Sequence, residues 1–235
     1  MTRLLVSVRN VAEARTALEV GVDLLDLKEP NDGALGAVAP SIVAEVVDVV
    51  GDRIPVSVAL GELLELTRDE AAAIEVSRGI TFFKLGLAGC ASQPNWVARW
   101  QTFIQTQPST SRPVAVIYAD AEATKAPSAH EVLAAAELVG SRTVLVDTAI
   151  KDGRGLLDHW SLEALQHFLT DASRRGFTTV AGGGLTLDTI PRVAACRPDY
   201  IAVRGAACSG PRTGTLCAAQ LSAVKERISP LTFAT

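Results

Sequence analysis

Short aliphatic, β-branched runs alternate with amphipathic stretches along the whole chain. The apolar runs are typical of buried strands, and the stretches between them repeat apolar residues at helical spacing. The predicted strands span residues 4–7, 22–28, 55–60, 80–86, 113–118, 143–148, 178–182 and 200–204. The predicted helices span residues 11–20, 40–50, 68–77, 95–104, 131–139, 161–174, 187–195 and 216–227, and Ser128 with Glu131 forms a capping box before the fifth of them.

This strict alternation predicts parallel strands joined by right-handed crossovers. Eight such units in 235 residues are typical of a (β/α)8 TIM barrel. A doubly wound open sheet is the alternative, but the segment SVRNVAEA after the first strand lacks the glycines of a nucleotide-binding loop. Because no linker or change of composition interrupts the pattern, we predict a single barrel domain over residues 1–235.

Side-chain alternation predicts which strand residues point into the barrel. On the second, fourth, sixth and eighth strands the apolar residues fit the outer face, so the charged residues point inward: Asp26, Lys28, Lys84, Asp147 and Arg204. These residues lie at the C-terminal strand ends, where such barrels place their active sites. A salt-bridge network that only closes the barrel is the alternative interpretation.

Lysine is scarce in this chain, which holds 22 lysine and arginine residues but only five lysines. Four of the five lie at strand ends or in the loops that follow: Lys28, Lys84, Lys125 and Lys151. Unlike arginine, lysine can lose its proton and attack a carbonyl group. We expect the positive charge of Lys84 or Arg204 to lower the pKa of Lys28, whereas Lys125 lies in a polar loop and is expected to be solvated.

The glycines after the last two strands predict a phosphate site. The seventh strand runs into Gly182, Gly183 and Gly184, and the eighth runs into Arg204 and Gly205. In this fold the loops after these strands often bind phosphate through backbone N–H groups, and Arg204 could add a charge-assisted hydrogen bond. Ordinary turn glycines are the alternative.

Composition narrows the classes of function. Hydrophobic residues make up 48% of the chain and the net charge is −4, which excludes extended disorder and argues against nucleic acid as the main partner. No apolar stretch approaches the ~20 residues of a membrane helix, and the apolar run in MTRLLVSVRN is too short for a signal peptide. We therefore expect a cytoplasmic protein with no membrane partner. We also expect it to bind a small molecule and to form a homo-oligomer.

Metal and cofactor chemistry finds little support in the residue pattern. The four cysteines include no CxxC pair, and no histidine lies at a predicted strand end. The aspartates lack a matching cluster of histidine or glutamate residues. We accordingly predict no metal site, no disulfide framework and no cofactor.

Five segments, in order along the chain, resemble one known family. They are DLKEPNDGALGA (26–37), KLGL (84–87), YADA (118–121), LVDTAIKDG (145–153) and VRGAAC (203–208). On these motifs the chain resembles the (5-formylfuran-3-yl)methyl phosphate synthases of methanofuran biosynthesis, also called 4-(hydroxymethyl)-2-furancarboxaldehyde-phosphate synthases.

The resemblance implies a lyase that condenses two glyceraldehyde 3-phosphate molecules, with loss of phosphate and water. It implies that Lys28 forms a Schiff base and that Lys84 accepts a proton, while Asp26, Asp147 and Lys151 match polar pocket positions. A class I aldolase of a phosphorylated sugar would use the same lysines and is the alternative enzyme. An isomerase without a phosphate substrate and a non-enzymatic sensor are further alternatives.

Overall fold

The computed structural model describes residues 1–66 and 78–228. Eight parallel strands form a closed barrel in which each strand pairs with the next along the chain and the last pairs with the first. The strands are β1 (Arg3–Val8), β2 (Leu24–Leu27), β3 (Val56–Glu62), β4 (Phe82–Gly86), β5 (Arg112–Tyr118), β6 (Thr143–Asp147), β7 (Thr178–Ala181) and β8 (Tyr200–Val203). The predicted (β/α)8 architecture is confirmed.

Helices follow the strands on the outside of the barrel. They are α1 (Val11–Val20), α2 (Pro40–Val50), α3 (Trp96–Gln105), α4 (Ala121–Thr124), α5 (Ala129–Leu138), α6 (Leu156–His159), α7 (Leu162–Arg174), α8 (Ile190–Ala195) and α9 (Ala218–Ile228). The short helices α4 and α6 were not predicted, because four residues are too few to show a helical period. The helix predicted at 68–77 lies outside the described residues.

The predicted capping box is present and fixes the start of α5. The Ser128 side chain accepts a hydrogen bond from the Glu131 backbone N–H, and the Glu131 carboxylate accepts one from the Ser128 backbone N–H at 2.8 Å. The helix therefore begins at Ala129, two residues before the predicted start, because the capping residue lies immediately outside the helix.

Two apolar layers confirm the predicted orientation of the strands. Leu25, Phe83 and Val146 belong to the core between the barrel and its helices, as predicted for outward residues. The barrel interior holds a second cluster, which includes Leu24 and Leu145, the neighbours of Leu25 and Val146 on the same strands. Since apolar side chains fill the middle of the barrel, the charged inward residues collect at its C-terminal end.

Three further features are not confined to one strand or helix. The four cysteines are free, and Cys217 is more exposed than the other three. Within residues 1–66 and 78–228, no helix combines the length and apolar character needed to cross a membrane. In the same ranges, no group of three or more His, Cys, Asp or Glu side chains is arranged to hold a metal ion.

Candidate active site at the barrel mouth

Most of the predicted site residues line one cavity at the C-terminal end of the barrel. The predicted residues that line it are Asp26, Lys28, Lys84, Asp147, Lys151, Gly183, Gly184 and Arg204. Arg212 also lines the cavity but was not among the predicted site residues. Gly205 lies just behind this lining, where a Cβ would be 3.6 Å from the Cβ of Arg212. The structure thus brings the predicted acidic, basic and glycine residues into one neighbourhood.

Asp26 and Lys84 form a buried ion pair between β2 and β4. Both side chains are 2% exposed. Lys84 also donates a hydrogen bond from Nζ to Ser57 Oγ at 3.1 Å, and Ser7 Oγ donates to the second carboxylate oxygen of Asp26 at 3.1 Å. These partners offset the cost of removing two charges from water. The pair is therefore a fixed part of the barrel mouth.

Asp147 and Lys151 form a second pair within the loop after β6. Lys151 Nζ lies 3.0 Å from Asp147 Oδ1 and donates to the Thr148 carbonyl oxygen at 2.6 Å. Burial alone would raise the pKa of the Asp147 carboxyl, but the charges of Lys151 and Lys28, with hydrogen bonds from Lys151 and Thr148, lower it below its usual range. Asp147 is therefore a carboxylate at neutral pH.

Lys28 lies between these pairs and belongs to neither. Its residue surface is 8% exposed, and Nζ makes no hydrogen bond or ion pair within the described part of the chain. Burial is the main cause that lowers the pKa of Lys28 to about 8; Asp147 and Asp26 oppose the shift, and Lys151 and Lys84 add to it. Roughly a tenth of the Lys28 side chains are then neutral amines at pH 7.

The glycine loop after β7 packs tightly against the loop after β6. Gly183 and Gly184 adopt positive φ angles of 90° and 61°, which favour glycine. The Gly183 carbonyl accepts a hydrogen bond from the Leu156 N–H at 2.7 Å, and a Cβ on Gly184 would approach the Gly155 Cα to 3.0 Å. Among the described residues, the N–H groups of Gly183 and Gly184 have no hydrogen-bond acceptor.

Arg204 uses all five of its N–H donors within the protein. Nη1 donates to the Ser7 carbonyl at 3.0 Å and to Glu13 at 2.8 Å, and Nη2 donates to Glu13 at 3.2 Å and to the Gly214 carbonyl at 2.9 Å. Nε donates to the Arg212 carbonyl at 2.8 Å. Arg204 therefore ties α1 to the loop after β8. The prediction that its donors bind a phosphate is not supported, because all five are bound within the protein.

Arg212 is the cavity cation that sequence reasoning missed. It lies in the loop after β8 and donates to the Pro30 carbonyl at 2.6 Å and the Gly33 carbonyl at 3.0 Å, which links this loop to the one after β2. Burial, the largest influence, lowers the pKa of its guanidinium. The one available signal was its position between two glycines in SGPRTG, in a loop that this fold uses for ligands.

A closed parallel barrel with lysine amines and carboxylates at its C-terminal mouth defines a TIM-barrel enzyme. A family profile described as 4-HFC-P synthase matches residues 4–225. The chain is 31% identical over 211 residues to the (5-formylfuran-3-yl)methyl phosphate synthase of Methanococcus maripaludis strain C7, covering 88% of this chain and 89% of the relative. The chain belongs to the (5-formylfuran-3-yl)methyl phosphate synthase family, which confirms the resemblance found in its motifs.

Further relatives extend this result. A protein named putative (5-formylfuran-3-yl)methyl phosphate synthase from Methylorubrum extorquens is 35% identical over 208 residues, covering 88% of this chain and 82% of the relative. Among solved structures, 3-hexulose-6-phosphate synthase from Salmonella typhimurium superposes with a TM-score of 0.62 at 15% identity, covering 97% of this chain and 100% of the other. Phosphoribosyl anthranilate isomerase from Thermus thermophilus superposes with a TM-score of 0.61 at 15% identity, covering 97% of this chain and 98% of the other. At this identity the two structures support the fold alone.

Proposed function

We propose that this enzyme condenses two molecules of glyceraldehyde 3-phosphate to (5-formylfuran-3-yl)methyl phosphate, with loss of phosphate and water, as a step of methanofuran biosynthesis. The observation that carries the proposal is the state of Lys28. It is buried, has a pKa of about 8, and is the lysine of the mouth that has no ion pair among the described residues. A neutral amine is what attack on an aldehyde carbon requires.

In this proposal Lys28 attacks the triose aldehyde, and water leaves to give an iminium ion. The iminium ion acts as an electron sink, so the neighbouring carbon loses a proton readily. Lys84, which lines the same cavity as Lys28, is the proposed acceptor of that proton. The resulting enamine expels phosphate or attacks the second aldehyde, and ring closure with dehydration completes the furan.

The surviving phosphate is proposed to bind where the loops after β7 and β8 meet. The N–H groups of Gly183 and Gly184 are available there, and Arg212 keeps three N–H groups without a partner among residues 1–66 and 78–228. Gly205 lies beside Arg212, and Arg204 supports the loop through the Arg212 carbonyl. Arg212→Met is expected to raise KM for the phosphorylated substrate far more than Arg204→Lys, because only Arg212 has donors to spare.

The test is borohydride trapping with glyceraldehyde 3-phosphate, followed by peptide mass mapping and an ultraviolet scan of the untrapped reaction. We expect a triose adduct on Lys28 and an absorbing furan product. Lys28→Arg keeps the charge and should lose both signals, whereas Lys125→Arg, at an exposed loop lysine, is the matched control and should keep both. An adduct without a furan would favour the class I aldolase, and absence of both signals would reject the Schiff base.

A further inference from the structure

An irregularity in β3 changes which of its side chains faces the mouth. Ala59 pairs with Lys84, but Gly86, two residues further along β4, pairs with Glu62, three residues further along β3. In regular pairing, position 61 would lie beside Gly86. The extra residue forms a bulge, a feature that re-aims side chains near active sites. Position 61 is a glycine with φ of 86°, which suits it to the bulge.

Gly86 provides the space that the Glu62 side chain occupies. A Cβ at position 86 would overlap both carboxylate oxygens of Glu62 and the hydroxyl of Tyr118. Because side chains alternate along a strand, Gly86 shares the inward face with Lys84, two residues before it. The Glu62 carboxylate therefore lies on the inward side of β4, one inward position beyond Lys84.

Two hydrogen bonds hold the carboxylate there. The Tyr118 hydroxyl donates to Glu62 Oε1, and the backbone N–H of Ala88 donates to Oε2 at 2.9 Å. Tyr118 itself is 1% exposed and pairs in register with Asp147, whereas Glu62 is only partly buried. Glu62 is therefore the more accessible of the two side chains.

The surroundings favour the protonated form of Glu62. Burial raises the pKa of its carboxyl, and the charges of Glu65 and Asp147 raise it further against the hydrogen bonds from Tyr118 and Ala88. Burial also holds the pKa of the Tyr118 hydroxyl well above its usual range and raises that of the nearby Cys90 thiol to about 12. Tyr118 and Cys90 are thus neutral, and the two charges named as acting on the pKa of Glu62, those of Glu65 and Asp147, are both negative.

We propose that Glu62 is a further catalytic residue, an acid that protonates the hydroxyl group lost as water during ring formation, and that Tyr118 is its positioning residue. In this step the carbon–oxygen bond breaks, and the hydroxyl departs with the Glu62 proton as water. Lys84, after losing the proton it took earlier to solvent, accepts a proton from the neighbouring carbon, and a carbon–carbon double bond forms. Solvent then reprotonates Glu62. The inference rests on the proposed function.

The first test compares Glu62→Gln with Glu122→Gln, an exposed carboxylate of α4, in the glyceraldehyde 3-phosphate reaction. For Glu62→Gln we expect furan formation to fall by on the order of 100-fold or more, which is the usual contribution of a general acid. The yield of the borohydride-trapped adduct on Lys28 should stay within roughly twofold of that of the unmodified enzyme. A product heavier than the furan by one water should accumulate. Glu122→Gln should behave as the unmodified enzyme.

The second test uses Tyr118→Phe, which keeps the ring and removes the hydroxyl. Because the hydrogen bond from Tyr118 lowers the pKa of Glu62, its loss should raise that pKa. An acid works while protonated, so the alkaline limb of the pH profile for furan formation should move to higher pH. A residue with only a structural role would lower the rate equally at every pH.

The outcomes separate this inference from the proposed function. If the unmodified enzyme makes furan and Glu62→Gln makes it as fast, the acid role is wrong. It is also wrong if Glu62→Gln loses Lys28 trapping and furan formation together, or if Tyr118→Phe leaves the shape of the pH profile unchanged. If the unmodified enzyme makes no furan from this substrate, the proposed function fails, and this inference fails with it.

Discussion

The two Asp–Lys pairs at the barrel mouth are built in different ways. Asp26 and Lys84 come from two strands, and each side chain is 2% exposed. Asp147 and Lys151 come from one loop, four residues apart, with 7% and 17% of their side chains exposed. Yet Asp147 shifts the pKa of Lys28 more than Asp26 does, and Lys151 shifts it more than Lys84 does.

The two pairs therefore have different roles in the site. The strand-borne pair is enclosed and hydrogen-bonded by serines of β1 and β3, so it maintains the geometry of the mouth. The loop-borne pair is more exposed but has the greater influence on the reactive amine. We infer that sequence changes in the loop after β6 adjust reactivity with little cost to folding, whereas changes in the strand-borne pair affect both.

The largest expected effect is on folding stability. Lys84→Met leaves the buried Asp26 carboxylate without its ion-pair partner, which should lower the free energy of unfolding by about 3–5 kcal/mol. Lys151→Met removes a partly exposed partner and should cost about 1 kcal/mol or less. Urea unfolding of the two variants at neutral pH measures both values. Equal losses would remove the distinction between the pairs.

Removal of Lys28 is expected to act in the opposite direction. The pKa of Lys28 is about 8 in the folded protein and 10.5 without burial. Protonated Lys28 therefore destabilises the folded state relative to the unfolded state. Lys28→Met should therefore stabilise the protein by up to about 3 kcal/mol below pH 8. The unmodified protein gains this stability as the pH rises from 8 to 10.5. The difference in free energy of unfolding between the variant and the unmodified protein should therefore disappear over that range. Unfolding measured at pH 7 and pH 10 tests this; a constant gap would contradict a lowered pKa.

Single carboxylate changes sharpen the comparison. Asp147→Asn removes the charge that does most to keep Lys28 protonated, so the pKa of Lys28 should fall by roughly one unit below its present value of about 8. Asp26→Asn should lower it less. The pH dependence of Lys28 acetylation, followed by peptide mass spectrometry, reports the pKa without requiring activity. A larger shift in Asp26→Asn would reverse the assignment of the tuning pair.

The smallest expected effect comes from Lys151. Its positive charge lowers the pKa of Lys28, so Lys151→Met should raise it by less than about one unit. The acetylation curve should therefore move to higher pH, opposite to the shift in Asp147→Asn. No movement of the curve would show that Lys151 is too well neutralised by Asp147 to act on Lys28.

The inward residues were predictable because strand alternation is a strong constraint. Once Leu25 and Phe83 were assigned to the outer core, Asp26 and Lys84 had to point inward, and the structure agrees. Their pairing was not predictable, since alternation gives a face but not a partner. The phosphate residues were predicted only as a region, because loop conformation decides which donors remain free.

Arg204, Arg212 and Glu62 mark where sequence reasoning stopped. Arg204 was assigned by position, but its partner Glu13 lies in the first turn of α1, where a carboxylate more often faces solvent and caps the helix. Arg212 lies in a loop without periodicity. Glu62 depends on one extra residue in β3, and only the pairing with β4 reveals that residue. Each of these depends on long-range register, which local pattern does not encode.

The contact between Glu13 and Arg204 joins residues 191 positions apart, and it forms where the first strand meets the last. During synthesis Lys28 emerges long before Asp147, Lys151 and β8. Until the barrel closes, its side chain is solvated and keeps an ordinary protonated ammonium group, which does not attack aldehydes. The neutral fraction of Lys28 therefore rises only when the barrel closes, and in the unfinished polypeptide this side chain reacts more slowly with aldehydes.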